Sequence, residues 1–166
     1  MANIKSEYNA SSSLTVTNLH SIATSATWIA GWDSGLIDNS SNKFLDYLIS
    51  ARIALGNSAT AGQIRVYVVA MLEDSTWPTG FDGTESTASI STTTLRDSFA
   101  KLAIAVDTRA DPGTDDVYEL GPVSVAALFG GVCPAKFALY ITHSTGVNLA
   151  ASGNTVYVKG IYATSA

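Results

Sequence analysis

Three consecutive residues, Asp33, Ser34 and Gly35, match the local signature of an aspartic protease, in which two such carboxylates share one proton. The chain holds a single copy of this motif, so a protease of this kind would have to be a homodimer. The same residues also suit a turn at the end of a strand, in which Asp33 bonds to nearby backbone and Gly35 takes a positive φ. Trp32 before the aspartate is atypical of the enzymes, and no flap hairpin is evident. The sequence therefore favours the turn.

Acidic side chains cluster between residues 111 and 119, and carboxylate oxygens are ligands that Ca²⁺ prefers. The four are Asp111, Asp115, Asp116 and Glu119. Their spacing differs from the twelve-residue calcium loop, which needs glycine at its sixth position and glutamate at its twelfth. A solvated acidic turn around Pro112 is favoured, with bound calcium as the alternative, and we predict no metal ion or other cofactor.

The remaining residues that could do chemistry are few and scattered. His20 and His143 with the lone Cys133 are a poor basis for a zinc site. No Gly-x-Ser-x-Gly motif marks a serine nucleophile, and the pair Gly130-Gly131 lacks the lysine and the following helix of a phosphate-binding loop. We therefore predict that the protein is not an enzyme and that it has no catalytic residues.

The elements that must position these residues follow a period of two far more often than the period of a helix. Apolar side chains occupy every second position of residues 45–55, and residues 63–72 repeat the pattern with a second face that is only half polar. Predicted strands occupy 14–17, 26–32, 44–55, 63–72, 99–106, 117–120, 135–143 and 154–163. Ser124 can cap one short helical turn near 124–129, and 73–97 is the longest stretch predicted to be irregular.

Seven or eight short strands with turn signals between them indicate a β-sandwich or barrel, and eight strands favour a jelly roll over an immunoglobulin-like domain. The predicted fold is therefore all-β: a single-domain jelly-roll β-sandwich of about eight antiparallel strands, with one short helical turn near 124–129. We assign residues 1–13 to an extended polar N-terminal arm and residues 14–166 to the sandwich domain.

The composition narrows the classes of partner. Of 166 residues, 46% are hydrophobic and 14% are charged, against a usual charged fraction of about 25%. The net charge of −5 and the lack of any run of Lys or Arg argue against nucleic acid and against a polybasic membrane anchor. The longest apolar run, residues 66–72, is too short to span a bilayer. The sequence starts without a secretory signal pattern, so we expect synthesis in a cytoplasm.

Apolar side chains on polar segments are a different kind of signal. Trp77 and Phe81 lie in the long irregular stretch, and Ile4 and Tyr8 lie in the N-terminal arm. A monomer would leave such groups exposed to water, which marks them as candidates for contact with another subunit. The alternative is that they fold back as lids on the ends of the sandwich.

Several turn and packing segments resemble those of small jelly-roll structural proteins of tailed bacteriophage particles. These segments are residues 62–70 (GQIRVYVVA), 77–86 (WPTGFDGTES), 121–134 (GPVSVAALFGGVCP), 145–149 (TGVNL) and 151–157 (ASGNTVY). None of them is a catalytic motif, so the resemblance specifies a fold and a particle context rather than a reaction.

The resemblance implies a capsid decoration, or cement, protein on the outside of the virion, made in the host cytoplasm. Such a protein would trimerise and bridge subunits of the major capsid protein to stabilise the shell. Ile4, Tyr8, Trp77 and Phe81 would then be candidates for subunit or capsid contact, and the N-terminal arm would order on a neighbour. The alternative is a tail or head-fibre adhesin that binds host glycan through exposed aromatic residues such as Trp77.

Overall fold

The structure is a computed structural model that describes residues 3–110 and 116–165. The described residues form strands and two short helices. In chain order these are β1 (Ile4–Tyr8), β2 (Ser12–Ser13), β3 (Ala30–Ser34), β4 (Ile37–Asp38), β5 (Asp46–Ala54), β6 (Gly62–Ala70), β7 (Glu85–Ser89), α1 (Thr93–Phe99), β8 (Ala100–Thr108), β9 (Val117–Ser124), α2 (Val125–Leu128), β10 (Lys136–His143) and β11 (Thr155–Ser165).

The strands form two antiparallel sheets. The first sheet has the order β1-β11-β5-β9, and β2 also pairs with β11. The second sheet has the order β7-β3-β10-β6-β8, and β4 also pairs with β10.

The strand order is that of a jelly roll. If β1 with β2 and β3 with β4 each count as one interrupted strand, and β7 is an addition at an edge, eight principal strands remain. Numbered along the chain, they lie in the orders 1-8-3-6 and 2-7-4-5. Strands 1 and 8, 2 and 7, 3 and 6, and 4 and 5 are therefore neighbours. This is the pairing that the two Greek keys of a jelly roll produce. The predicted jelly-roll sandwich is confirmed, and so is the short helical turn, which is α2.

The core lies between the two sheets, and the period-two pattern explains it. Along β5 the side chains of Tyr47, Ile49, Ala51 and Ile53 are buried, which is the apolar face predicted from the sequence. The Tyr47 ring meets that of Phe137 on β10 edge to face, with 5.4 Å between ring centroids. This aromatic pair joins the first sheet to the second.

A second apolar cluster covers the other side of the second sheet. Its buried residues include Tyr67 and Val69 of β6 and Tyr140 of β10. The cover comes from residues 77–99, which contain β7 and α1, although residues 73–97 were predicted to be irregular. Thr92 caps α1 by accepting a hydrogen bond from the backbone N–H of Leu95.

The buried Arg96 fixes α1 to the second sheet. Its guanidinium donates to the backbone oxygens of Thr27 and Trp28, at 2.9 and 3.2 Å. It also lies 5.3 Å from the centre of the Tyr67 ring. These contacts join residues far apart in sequence, which is why local pattern alone predicted no helix here.

The residues assigned to an N-terminal arm belong to the first sheet. β1 pairs with β11 from Ile4↔Ser165 to Tyr8↔Ile161, and β2 pairs with Tyr157 and Val158. Their backbone therefore has a partner in the same chain, whereas the arm was expected to order on a neighbour. The side chains of β1 and β2 remain exposed, including those of Ile4 and Tyr8.

Candidate interaction surface

Asp33 of the protease-like motif is buried at the end of β3. One carboxylate oxygen, Oδ1, accepts a hydrogen bond from the backbone N–H of Gly35 at 2.8 Å, and Gly35 has a φ of 73°. This is the geometry expected of a strand-ending turn. The other oxygen, Oδ2, is buried without a hydrogen-bond partner among the described residues. Burial, reinforced by the nearby Asp82 and Glu85, raises the pKa of Asp33 to about 6, against the opposing effect of the Gly35 hydrogen bond.

The raised pKa of Asp33 predicts a pH dependence of stability. Because the folded-state pKa of about 6 exceeds the ordinary value of 3.8, the folded chain holds this proton more tightly than the unfolded chain. The resulting stabilisation is complete below pH 3.8 and is lost as the pH rises through 6. The free energy of unfolding that Asp33 contributes is therefore about 3 kcal/mol greater below pH 3.8 than above pH 6. Denaturant unfolding between pH 4 and 8 should therefore show that Asp33→Asn loses less stability than the native chain as the pH rises.

The exposed carboxylate of Asp38 provides the control for this experiment. A hydrogen bond from Ser40 lowers the pKa of Asp38, so Asp38→Asn should leave the loss of stability between pH 4 and 6 unchanged. An Asp33→Asn variant that loses as much stability with rising pH as the native chain would show that Asp33 does not cause the pH dependence.

The predicted acidic calcium turn lies partly outside the described residues, which exclude Asp111 and Asp115. Asp116 lies 3.3 Å from the guanidinium of Arg109, and Glu119 lies 3.5 Å from that of Arg52. Among the described residues no three His, Cys, Asp or Glu side chains come together as metal ligands would.

The two histidines contact different residues. The ring of the buried His143 contacts the Thr145 hydroxyl at 3.0 Å and the Ile22 carbonyl at 3.2 Å. Burial lowers the pKa of His143. His20 contacts the side-chain amide of Asn154 at 3.0 Å.

Burial raises the pKa of the Cys133 thiol to about 11, as expected of a half-buried, unreactive cysteine.

Two of the four predicted contact residues fold back onto the protein. Phe81 is only 9% exposed, and its ring lies 5.7 Å from that of Tyr140 and 5.8 Å from that of Phe99. Trp77 is half-buried against the same cluster and lies over Gly83. Phe81 therefore folds back onto the protein as the alternative predicted, although it covers the outward side of the second sheet rather than an end of the sandwich. The reason is that the second sheet has an apolar outer side that needs cover.

The other two predicted contact residues are exposed. Ile4 and Tyr8 are 80% and 60% exposed and lie on the same side of β1. The Tyr8 ring lies 5.6 Å from the ammonium group of Lys159 on β11, which places it on the side of the first sheet that faces away from the core.

Around Tyr8, the outward side of the first sheet forms a surface that we call the tyrosine face, defined by Tyr8, Leu48, Pro122 and Tyr157. These four residues line a shallow groove of about 330 Å³, together with the polar residues Ser11, Ser50 and Lys159 and with Val158. Tyr157 is 40% exposed. A second groove of about 360 Å³ adjoins it and shares Ser50, Pro122 and Tyr157.

Charged groups lie at the margin of the tyrosine face. Lys159 borders the first groove, and the ion pair of Arg52 with Glu119 borders the second. An apolar and aromatic centre with a polar margin is the usual composition of a protein interface, and tyrosines often contribute much of its binding energy. Sequence reasoning singled out Tyr8 but missed Tyr157, Leu48 and Pro122. Tyr157 could have been found, because it alternates with the buried Val156 and Val158.

In the part of the chain that the structure describes, no helix has the length and apolar character needed to cross a membrane.

Comparison with known proteins finds no family model and no curated protein that matches the sequence. The solved structure titled "Structure of infectious bursal disease virus Gx strain" is similar to the chain, with a TM-score of 0.38 and 12% sequence identity. The match covers 98% of this chain and 40% of that one, so the chain spans well under half the length of the matched protein. The jelly-roll assignment rests on the strand order and not on this likeness.

Proposed function

We propose that this protein is a structural, non-enzymatic component of a virus particle. In the specific form of the proposal it is a decoration, or cement, protein on the outside of a tailed-phage head. It would bind neighbouring subunits of the major capsid protein through its tyrosine face and so bridge them. The phage context comes from the resemblance of the turn and packing segments, and jelly rolls recur in viral capsid proteins. One fold serves many functions, so a specific role depends on the surface that the fold presents.

The observation that carries the proposal is the tyrosine face. It presents two exposed tyrosines with Leu48 and Pro122 on the outward side of the first sheet, in a chain where only 14% of residues are charged. The backbone of these strands is already ordered and tyrosine has only two side-chain torsions, so little conformational entropy is lost when these residues become buried. The net charge of −5 favours a protein partner over nucleic acid.

Mass action explains how such a protein would stabilise a shell. A ligand that binds the assembled shell and not the free subunit lowers the free energy of the assembly. Each contact can be weak, because bridging two subunits makes the second contact intramolecular. The resemblance further implies a trimer, and we keep the trimer as one outcome of the oligomer experiment described below.

The proposal is tested by adding the purified protein to emptied heads of the phage that encodes it. We expect the protein to cosediment with the heads, to saturate at a copy number that matches their symmetry, and to raise their disruption temperature. Free major capsid subunits serve as the control and should bind much more weakly. A protein that binds no shell at any concentration would contradict the proposal.

The second candidate is a fibre adhesin for host glycan, and one observation favours it. The groove between Tyr8 and Tyr157 also holds the hydroxyl groups of Ser11 and Ser50 and the ammonium group of Lys159. Sugars stack on aromatic rings and accept hydrogen bonds from such groups. Trp77, which the sequence suggested for this role, is half-buried. An adhesin should bind host cells and leave emptied heads unbound.

A further inference from the structure

The strand β1 has one open edge within the described residues, where it pairs only with β11. The N–H of Asn9 donates to the carbonyl of Gly160 at 2.9 Å, in the same register as β1. Antiparallel pairs alternate between residues that exchange hydrogen bonds and residues that do not. Lys5 and Glu7 therefore bond to β11, while the backbone groups of Ile4, Ser6 and Tyr8 point to the open edge.

We propose that this edge binds a second copy of the chain through antiparallel pairing of the two β1 strands about Ser6. In this register Ser6 faces its own counterpart, and Ile4 faces Tyr8 of the partner subunit. Lys5 faces Glu7 of the partner subunit, and the twofold axis repeats each contact. The residues with outward backbone groups meet one another in three pairs, each of which can exchange two hydrogen bonds.

Charge selects this register from its neighbours. The hydrogen-bond pattern allows slips of the partner strand only in steps of two residues, because within β1 the outward backbone groups are those of Ile4, Ser6 and Tyr8. A slip in one direction would place Lys5 opposite Lys5 of the partner subunit, and a slip in the other would place Glu7 opposite Glu7 of the partner subunit. Like charges directly opposite each other in a sheet are destabilising.

The Glu7 carboxylate has a defined position within the first sheet. Its two oxygens accept hydrogen bonds from the hydroxyl groups of Tyr162 and Thr164, each at 3.2 Å. Edge strands that avoid pairing often carry charged residues of one kind, lysine above all, which repel a second copy. In β1 the charges have opposite signs at positions that a twofold axis brings together.

Pairing would extend the tyrosine face. Directly opposed side chains lie on the same side of a sheet, so Tyr8 and Ile4 of the partner subunit would lie together on the outward side. The first sheets of two copies would then form one sheet, and their tyrosine faces would adjoin on its outward side. A pair of five-residue strands is a small interface, so we expect a dissociation constant between about 10 µM and 1 mM.

Charge reversal at β1 tests the pairing by sedimentation equilibrium in the absence of any capsid. Lys5→Glu and Glu7→Lys should each weaken the dimer about tenfold or more, because each places two like-charge pairs across the twofold axis. An equimolar mixture of the two variants should restore a dimer with one copy of each, since every facing pair is again opposite in sign. Lys101→Glu on β8, an exposed lysine of the second sheet, is the matched control and should leave the dimer unchanged.

Three results would overturn the proposal: a native chain that stays monomeric up to about 1 mM, a trimer, or a mixture that associates no better than either variant alone. Circular dichroism of each variant checks that the fold is retained, which matters most for Glu7→Lys because it also loses the contacts with Tyr162 and Thr164. The experiment contains no shell, so its failure would leave the proposed capsid role standing, and failure of shell binding would leave the dimer standing.

Discussion

Phe137→Ala should lower the free energy of unfolding by about 3–5 kcal/mol. Phe137 is completely buried on β10, and its ring packs edge to face on Tyr47 of the opposite sheet. Truncation removes this contact and leaves a cavity between two rigid sheets that cannot close onto each other. Small domains are stable by only about 5–15 kcal/mol, so the variant should be close to unfolding.

Denaturant unfolding of native and variant chains measures this effect. Leu72→Ala removes an exposed apolar side chain and is the matched control, with an expected change within about 0.5 kcal/mol. A loss below about 1 kcal/mol for Phe137→Ala would mean that the two sheets do not pack through this residue.

Tyr157→Glu should weaken binding to emptied heads by at least about 30-fold, because interface tyrosines often contribute 2 kcal/mol or more. Tyr157 lies between the two grooves of the tyrosine face and borders both. The variant removes the aromatic ring and would bury a carboxylate against the shell. Since Tyr157 is 40% exposed in the free chain, we expect the fold to be retained.

Leu102→Glu is the control for this binding experiment. Leu102 lies on β8 of the second sheet and is 46% exposed, so the variant introduces the same charge at a similar exposure on the other sheet. It should bind heads like the native chain. Equal losses for the two variants would show that the tyrosine face is not the contact surface.

The fold could be predicted from sequence where one side of a strand is buried and the other is exposed. β5 shows this clearly, because its buried side chains occupy every second position from Tyr47 to Ile53. β1 carries no such signal: all five of its residues are exposed, and its partner β11 lies at the other end of the chain. No local pattern reports a pairing at that sequence separation.

The candidate site shows the same limit. Tyr8 and Phe81 gave the same signal in the sequence, an aromatic residue on a polar segment, yet Tyr8 is exposed and Phe81 is buried. The difference lies in the second sheet, whose outward residues Tyr140 and Val69 are apolar. Residues 77–99 pack over them and bury them. The half-apolar second face of residues 63–72 predicted that some cover exists, but not which segment provides it.

The most direct test of the proposed function is cryo-imaging of the native particle together with mass analysis of its proteins. We expect density for this jelly roll on the outside of the head, with Tyr8 and Tyr157 of the first sheet against the major capsid protein. Finding the chain only at a tail or fibre, or not in the particle at all, would contradict the proposal.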